Sequence, residues 1–222
     1  MKRFSRLCLV VMLSLPMKAY CGLMDSDLVA EFKNNIELQV IPDVVAPVRD
    51  DGGFITLRSD YFPIDKKAVY VYEYTSTEFD GVKTVKIELL NYSQKDNLSK
   101  FKKTVIYNND SSDEVYEVYI TADGVYSTNG PLSDRRMEFP IPTVVGAVWN
   151  RDRSSNTVSS LTARIKLPAG SFSNCLKITT KIADGDAGIS KRYYAPQIGL
   201  VYEQIMAEDS EHTLKLVSYQ IE

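Results

Sequence analysis

The chain has one histidine, His212, and one tryptophan, Trp149, among 222 residues. A single histidine excludes a His-clustered metal site and leaves a His-activated nucleophile only His212 to use. No P-loop, G-x-G-x-x-G, C-x-x-C or H-E-x-x-H pattern occurs, and no G-x-S-x-G elbow frames a serine. The residues therefore imply no cofactor and no recognisable catalytic motif, and the expectation is a non-enzyme. Cysteine is scarce too. Cys8 and Cys21 fall in the leading segment, which leaves Cys175 alone and excludes an internal disulfide in the rest of the chain. Cys175 is either a buried small hydrophobe or an intermolecular link, and burial is favoured because free cysteine is among the most buried residue types.

Long apolar runs are confined to the N-terminus. Lys2, Arg3 and Arg6 precede LCLVVMLSLPM, which ends at Met17. A basic head and an apolar run of this length read as a secretory signal, too short to span a bilayer. Ala19 and Cys21 supply small residues at −3 and −1, which predicts residues 1–21 as a signal peptide. A lipidated Cys21 is the weaker alternative, because Tyr20 and Lys18 suit it poorly. The chain is thus expected to be exported, periplasmic or secreted, with no transmembrane segment after cleavage. Loss of Lys2, Arg3, Arg6 and Lys18, and of no acid, takes the formal charge from −3 to −7. So acidic a chain gains nothing from a phosphate backbone, which argues against nucleic acid as a partner.

Residues 22–53 divide into a short amphipathic helix, with Leu28, Phe32 and Ile36 on one face, and a linker-like stretch with Pro42, Pro47 and Gly52-Gly53. From residue 54 to 222 strand follows strand. VYVYEYT and KTVKIELL flank Asp80-Gly81, a strong hairpin signal. Phe101–Tyr107 and Glu114–Thr121 flank NNDSSD, and PLSDRRMEFPIP reads as a Pro-rich bridge. Leu161, Ala163, Ile165 and Leu167 alternate with Thr162, Arg164 and Lys166; Leu176, Ile178 and Ile182 alternate with Cys175, Lys177, Thr179 and Lys181. One apolar and one polar face predict an antiparallel sheet wetted on one side. About ten strands with turn signals between them predict a mainly β domain, an antiparallel curved sheet forming an open β-barrel or sandwich. A weak echo, Phe62-Pro63-Ile64 and Phe139-Pro140-Ile141, points to two similar halves.

Four segments together resemble the domain of unknown function 3108-like proteins. They are Tyr61-Phe62-Pro63-Ile64 leading to Tyr70, Gly146–Trp149, Leu167–Lys177 (LPAGSFSNCLK), and Tyr193–Val201 (YYAPQIGLV). The likeness covers roughly residues 60–222. Tyr70 stands where the family usually has Trp, and Gln197 where it usually has Gly. The resemblance implies an exported, mainly antiparallel β protein of unestablished activity, and it supplies no catalytic residue. Pro168 with Gly170, and Pro196 with Gly199, read as turn chemistry, with Phe172 and Tyr194 as core aromatics at each corner.

Three places remain as candidate chemistry. Asp184-Gly185-Asp186-Ala187-Gly188 alternates carboxylates around Gly as calcium loops do, but lacks further ligands and a closing Glu, so it reads as a hairpin loop. Cys175 and His212 are a formal thiolate pair with no local signature. Tyrosine is the abundant aromatic, fourteen in all, and period 2 puts Tyr70, Tyr72 and Tyr74 on one strand face. Such a ladder offers apolar bodies with polar tips to a ligand, or simply packs a pleated, half-buried surface. The expectation is a non-catalytic binding protein of the periplasm or cell envelope for an apolar or amphipathic ligand. The alternative is a structural or protein-interaction module of the envelope.

Overall fold

The computed structural model describes residues 59–151, 153–183 and 187–222, with the backbone of residues 48–49 and 55–56. The expected signal peptide, the expected helix at 25–36 and the Asp184–Asp186 loop lie outside these residues. Strands β1 (Val48–Arg49) and β2 (Ile55–Thr56) pair with each other, in and just after the stretch that reads as linker. The main sheet begins with β3 (Ala68–Ser76), β4 (Phe79–Ser93), β5 (Leu98–Tyr107), β6 (Asp110–Ile120), β7 (Gly124–Thr128) and β8 (Arg135–Pro140). It continues with β9 (Val148–Arg151), β10 (Ser154–Leu167), β11 (Gly170–Ile182), β12 (Gly188–Ala195), β13 (Gly199–Met206) and β14 (Glu211–Ile221). All the pairings are antiparallel, in the order β8-β7-β6-β5-β4-β3-β14-β13-β12-β11-β10-β9. Two six-stranded meanders are therefore joined where β3 meets β14. Phe-Pro-Ile precedes the first strand of each half, at 62–64 before β3 and at 139–141 before β9.

Chain length forces this sheet to curl. Twelve strands at about 4.8 Å would hold flat edges roughly 53 Å apart. The edge strands β8 and β9 are joined through residues 141–147, whose fully extended reach is about 28 Å. The sheet closes most of the way into a barrel, leaving a seam between β8 and β9 that no backbone ladder crosses among the described residues.

Most turns follow their residues. Asn108 and Asn109, both at positive φ (51° and 71°), make the two-residue β5–β6 turn, a conformation that asparagine tolerates. The rest of the expected loop, DSSD, is strand. The β3–β4 hairpin exists, but its turn is Thr77-Glu78 rather than Asp80-Gly81. Ser76 pairs with Phe79 and Tyr74 with Lys83, so Asp80-Gly81-Val82 opposes Thr75 alone, and Gly81 takes φ 82° in that irregularity. The stretch read as a Pro-rich bridge contains β8, with Pro140 at the end of an edge strand, where a missing N–H costs no ladder bond.

The core has an aromatic side. Tyr61, Phe62 and Ile64 are buried, and Ser99 donates to the Ile64 carbonyl. The rings of Phe62 and Phe139, one from each Phe-Pro-Ile, lie 6.2 and 5.2 Å from that of Tyr194. Phe172 and Tyr194 are core residues, as their turn positions predict. Leu161 is buried while Thr162, Arg164 and Lys166 are exposed, as the alternation predicts.

Cys175 departs from simple alternation. It is fully buried although Lys177 and Lys181 share its parity. Ala163 pairs with Cys175 and Ile165 with Phe172, so Ser173 and Asn174 oppose one residue, and Asn174 takes φ 53°. That bulge resets the pleat before Cys175, and a second irregularity sets Leu161 and Thr162 opposite Leu176, so that Cys175 and Leu176 are both buried. Burial pushes the Cys175 thiol up to about 11, so roughly one molecule in a thousand carries thiolate at pH 8. The native protein should resist Ellman's reagent at pH 8 and react fully in urea. Complete native labelling within minutes would show that the thiol is accessible.

Candidate functional site

Opposite the aromatic side, the barrel interior is charged. Glu138 on β8, Arg192 on β12 and Glu203 on β13 are each no more than 2% exposed, and Arg136 on β8 joins them at 12% side-chain exposure. The strands aim these groups inward for simple reasons. Arg192 and Glu203 are cross-strand partners, and period 2 sets Arg192 with buried Tyr194 and Glu203 with buried Val201. On β8, Val125 pairs with Phe139 and Tyr126 with Met137, which leaves Glu138 as an unpaired bulge residue. The bulge lets Glu138 and Phe139 both enter the core, where alternation would admit one.

The charges are fully engaged. Arg136 donates through Nε to Glu138 Oε2 at 2.8 Å, and through both Nη groups to the Glu203 carboxylate, the Nη2 bond being 2.9 Å. Arg192 Nη1 donates to Glu138 Oε2 at 3.2 Å; its Nη2 donates to Asn156 Oδ1 at 2.8 Å and to Thr180 Oγ1 at 3.3 Å. Ser127 and Tyr194 donate their hydroxyls to Glu138, each at 2.5 Å. Burial pushes the Glu138 carboxyl up, but Arg136, then Arg192, and the hydrogen bonds from Ser127 and Tyr194 outweigh it and hold it at about 2. Burial, then the Glu138 charge, raises the Tyr194 phenol, which stays protonated as a donor.

These residues floor a cleft of about 220 Å³ that opens along the seam. Arg136, Arg192 and Glu203 line its inner wall, Met137, Ile182 and Ile205 give it apolar surface, and Trp149 and Arg151 come from edge strand β9. Asn156, which pairs with Trp149, donates from Nδ2 to the Trp149 carbonyl at 3.3 Å and fixes that edge. A second opening, about 610 Å³, lies at Ile189 and Met206 beside the loop outside the described residues.

The tyrosines singled out in the sequence are placed otherwise. Tyr70 and Tyr72 are 7% and 3% exposed, and Tyr72 donates to the Leu200 carbonyl at 2.8 Å. The cavity beside them, shared with Phe62, Ile87, Phe101 and Tyr116, holds about 10 Å³, room for one water at most. Tyr74 is half-buried in a different cluster. Its ring lies 5.2 Å from Phe79 and its hydroxyl 2.9 Å from His212 Nδ1, while the Lys83 ammonium sits 3.9 Å from the Phe79 ring centroid. His212 thus meets Tyr74, and Glu78 at 3.7 Å, rather than serving Cys175. Among the described residues no cluster of three or more His, Cys, Asp or Glu is arranged to hold a metal ion, and no helix is long and apolar enough to cross a membrane.

No family model matches the chain, and no curated protein matches it. Its fold is similar to that of a Bacteroides fragilis protein assigned as exported with a YmcC-like fold, at 13% identity and a TM-score of 0.44. A Parabacteroides distasonis protein assigned as a lipoprotein is similar at 15% identity and a TM-score of 0.39. Each likeness covers 72% of this chain and 98% of the other. Likenesses this distant assign neither a ligand nor a site. The resemblance to the domain of unknown function 3108-like proteins thus has no family match behind it; of its four segments, three lie at corners and in the core, and the other, Gly146–Trp149, carries Trp149 into the cleft wall. In the last of these segments, Tyr193–Val201, Gln197 takes φ 62°, a left-handed conformation uncommon for a residue with a side chain.

The charge network makes stability acid-sensitive in a defined window. Because the folded Glu138 pKa lies below its unfolded value near 4.5, the contribution is complete above pH 4.5 and disappears as pH falls through about 2. The shift corresponds to about 3 kcal/mol. Glu138→Gln should cost about 3–5 kcal/mol at pH 7, since it leaves two guanidiniums underpaired. It should also flatten the loss of stability between pH 4.5 and pH 2. Urea unfolding of both proteins across that range measures this, and parallel pH profiles would mean that Glu138 is not the titrating group.

Proposed function

We propose that this chain is an exported, non-catalytic binding protein of the periplasm or cell envelope, and that it holds a small ligand in the seam cleft. The observation that carries the reading is the cleft itself, an open cavity of about 220 Å³ whose inner wall is fixed by a fully bonded charge network. Binding sites favour concave surfaces in which a few well-held polar groups are set among apolar side chains. The tyrosine face that the sequence offers supports such a role less well, because Tyr70 and Tyr72 are spent on the core. Export is supported by the basic and apolar N-terminal pattern of residues 1–21. The absence of catalytic motifs and the complete pairing of the inner charges favour holding a ligand over transforming one.

A second reading has its own observation. Val144, Val145 and Val148 are 47%, 60% and 60% exposed beside edge strand β9, an apolar patch next to unpaired backbone. That combination suits strand addition by a protein partner.

Native mass spectrometry of protein purified from an envelope fraction separates the two. The expected result is a small-molecule adduct on the wild type that Ser154→Trp, which fills the cleft, abolishes without moving the urea midpoint. Protein that emerges without an adduct, or a Ser154→Trp variant that keeps it, overturns the cleft as the binding site. A protein adduct lost on Val145→Asp favours the second reading.

A further inference from the structure

We propose that the chain holds a binding site apart from the seam cleft, an aromatic cage for a quaternary ammonium group, where β3 turns into β4. Its walls are Tyr74 on β3, Phe79 at the start of β4 and Tyr107 at the end of β5, none of which lines the cleft. Tyr74 pairs with Lys83, and the β4–β5 register, which pairs Thr84 with Ile106, sets Tyr107 on the other flank of that lysine. Phe79 reaches it from beyond the irregularity at 80–82. Period 2 puts Tyr74 and Lys83 on the faces of buried Tyr72 and Val85, so the cage continues the inward face past the core. The Lys83 ammonium lies over all three rings, 3.9 Å from the Phe79 centroid, 5.1 Å from that of Tyr107 and 5.7 Å from that of Tyr74. Phe79 stands edge-on to both tyrosines, at 5.2 and 5.6 Å, so the rings enclose one space instead of stacking. The chain's own cation is the stand-in for the ligand.

The walls are fixed from outside the cage. Tyr107 donates its hydroxyl to the Asp80 carbonyl at 2.8 Å, and the Tyr74 hydroxyl lies 2.9 Å from His212 Nδ1. Rings held in place before a ligand arrives lose little freedom when it binds. All three are half-buried, so their faces can be reached; of the tyrosines that share one face of β3, Tyr74 alone is left to a ligand. Lys83 is a replaceable tenant. Among the described residues it forms no ion pair, and the rings alone hold its charge. A primary ammonium carries three N–H donors and is strongly hydrated, which draws it back toward water. A trimethylammonium has no N–H donor and spreads its charge over methyl groups, so the ring faces attract it at a smaller loss of hydration. Glu78, exposed on the same turn, adds a carboxylate at the rim; after burial, its charge raises the Tyr74 phenol. Free solutes and lipid heads both carry this group.

His212 is the only histidine in the chain and its ring lies 6.1 Å from that of Tyr74, so its imidazole proton resonances report the cage. The full mature protein is titrated with choline and with neohexyl alcohol, the uncharged isostere of choline. Choline should shift the His212 signals saturably, at concentrations where neohexyl alcohol leaves them unchanged. Lys83→Ala, which empties the cage, should tighten choline about threefold. Phe79→Leu keeps an apolar side chain but removes the nearest ring, and should weaken choline by about fivefold or more. Urea midpoints separate loss of the cage from loss of the fold, and Tyr107→Leu supplies the same comparison if Phe79→Leu unfolds. Flotation with phosphatidylcholine and with phosphatidylglycerol vesicles distinguishes the sources. Selective binding to the first assigns a lipid head, and free choline binding without it assigns a solute. Equal response to choline and neohexyl alcohol overturns the inference. So does an unaltered choline affinity in Lys83→Ala, because the cation then does not enter the space that Lys83 fills. Silence toward choline in both the wild type and Lys83→Ala overturns it as well.

Discussion

The rest of the structure depends on the pairing of Glu138 and Glu203 with Arg136 and Arg192 inside the barrel. Each charge withdrawn from water costs several kcal/mol, and such a cluster persists only where every partner is satisfied. Here the acceptors of Glu138 are filled by two guanidiniums and two hydroxyls, and Glu203 receives a two-point grip from Arg136. The cluster links β8 to β12 and β13, strands far apart in sheet order but brought together by the curl. Side chains thus tie the barrel across a seam that its backbone leaves open. Apolar residues of equal volume could fill the space, but they would supply neither this orientation nor the polar wall that keeps the cleft from collapsing.

Much of the architecture was legible because strands and turns are local. The alternation at 161–167, the Pro168–Gly170 turn and the Pro196–Gly199 turn appear where their residue types require. The curl has a sequence counterpart too, since only a short link joins PLSDRRMEFP to the strand that carries Trp149. The β3–β4 turn was misplaced because Asp-Gly serves equally in a turn and in a bulge. Which use prevails depends on how Tyr74, Phe79, Tyr107 and Lys83 pack, and that is a tertiary matter.

The site was largely hidden for a different reason. Its charges come from β8, β12 and β13, and the first of these reads as a bridge because arginines and prolines mask its pleat. One signal was present. In Val201–Ile205, period 2 sets Glu203 among residues of an otherwise apolar strand, and in Ser190–Tyr194 it sets Arg192 beside the core tyrosine. A lone charge on an inward face requires an opposite partner. Sequence alone identifies the need but not the partner, because Arg136 lies 67 residues from Glu203. The tyrosine ladder shows the converse limit. Periodicity puts Tyr70 and Tyr72 on one face and leaves open whether a ligand or Leu200 and Phe62 will cover it.

Bulges explain how one small barrel holds both a dry core and a charged cleft. A regular pleat on β8 would send Glu138 inward and Phe139 outward, or the reverse. The extra residue admits both, so Phe139 closes the aromatic side against Tyr61 and Tyr194 while Glu138 anchors the ionic side. Tyr194 joins the two, its ring among the aromatics and its hydroxyl on Glu138. Arg136 and Arg192 are fixed by the fold through Glu138 and Glu203. The network ties β8 to β12 and β13 across the seam that the backbone leaves open.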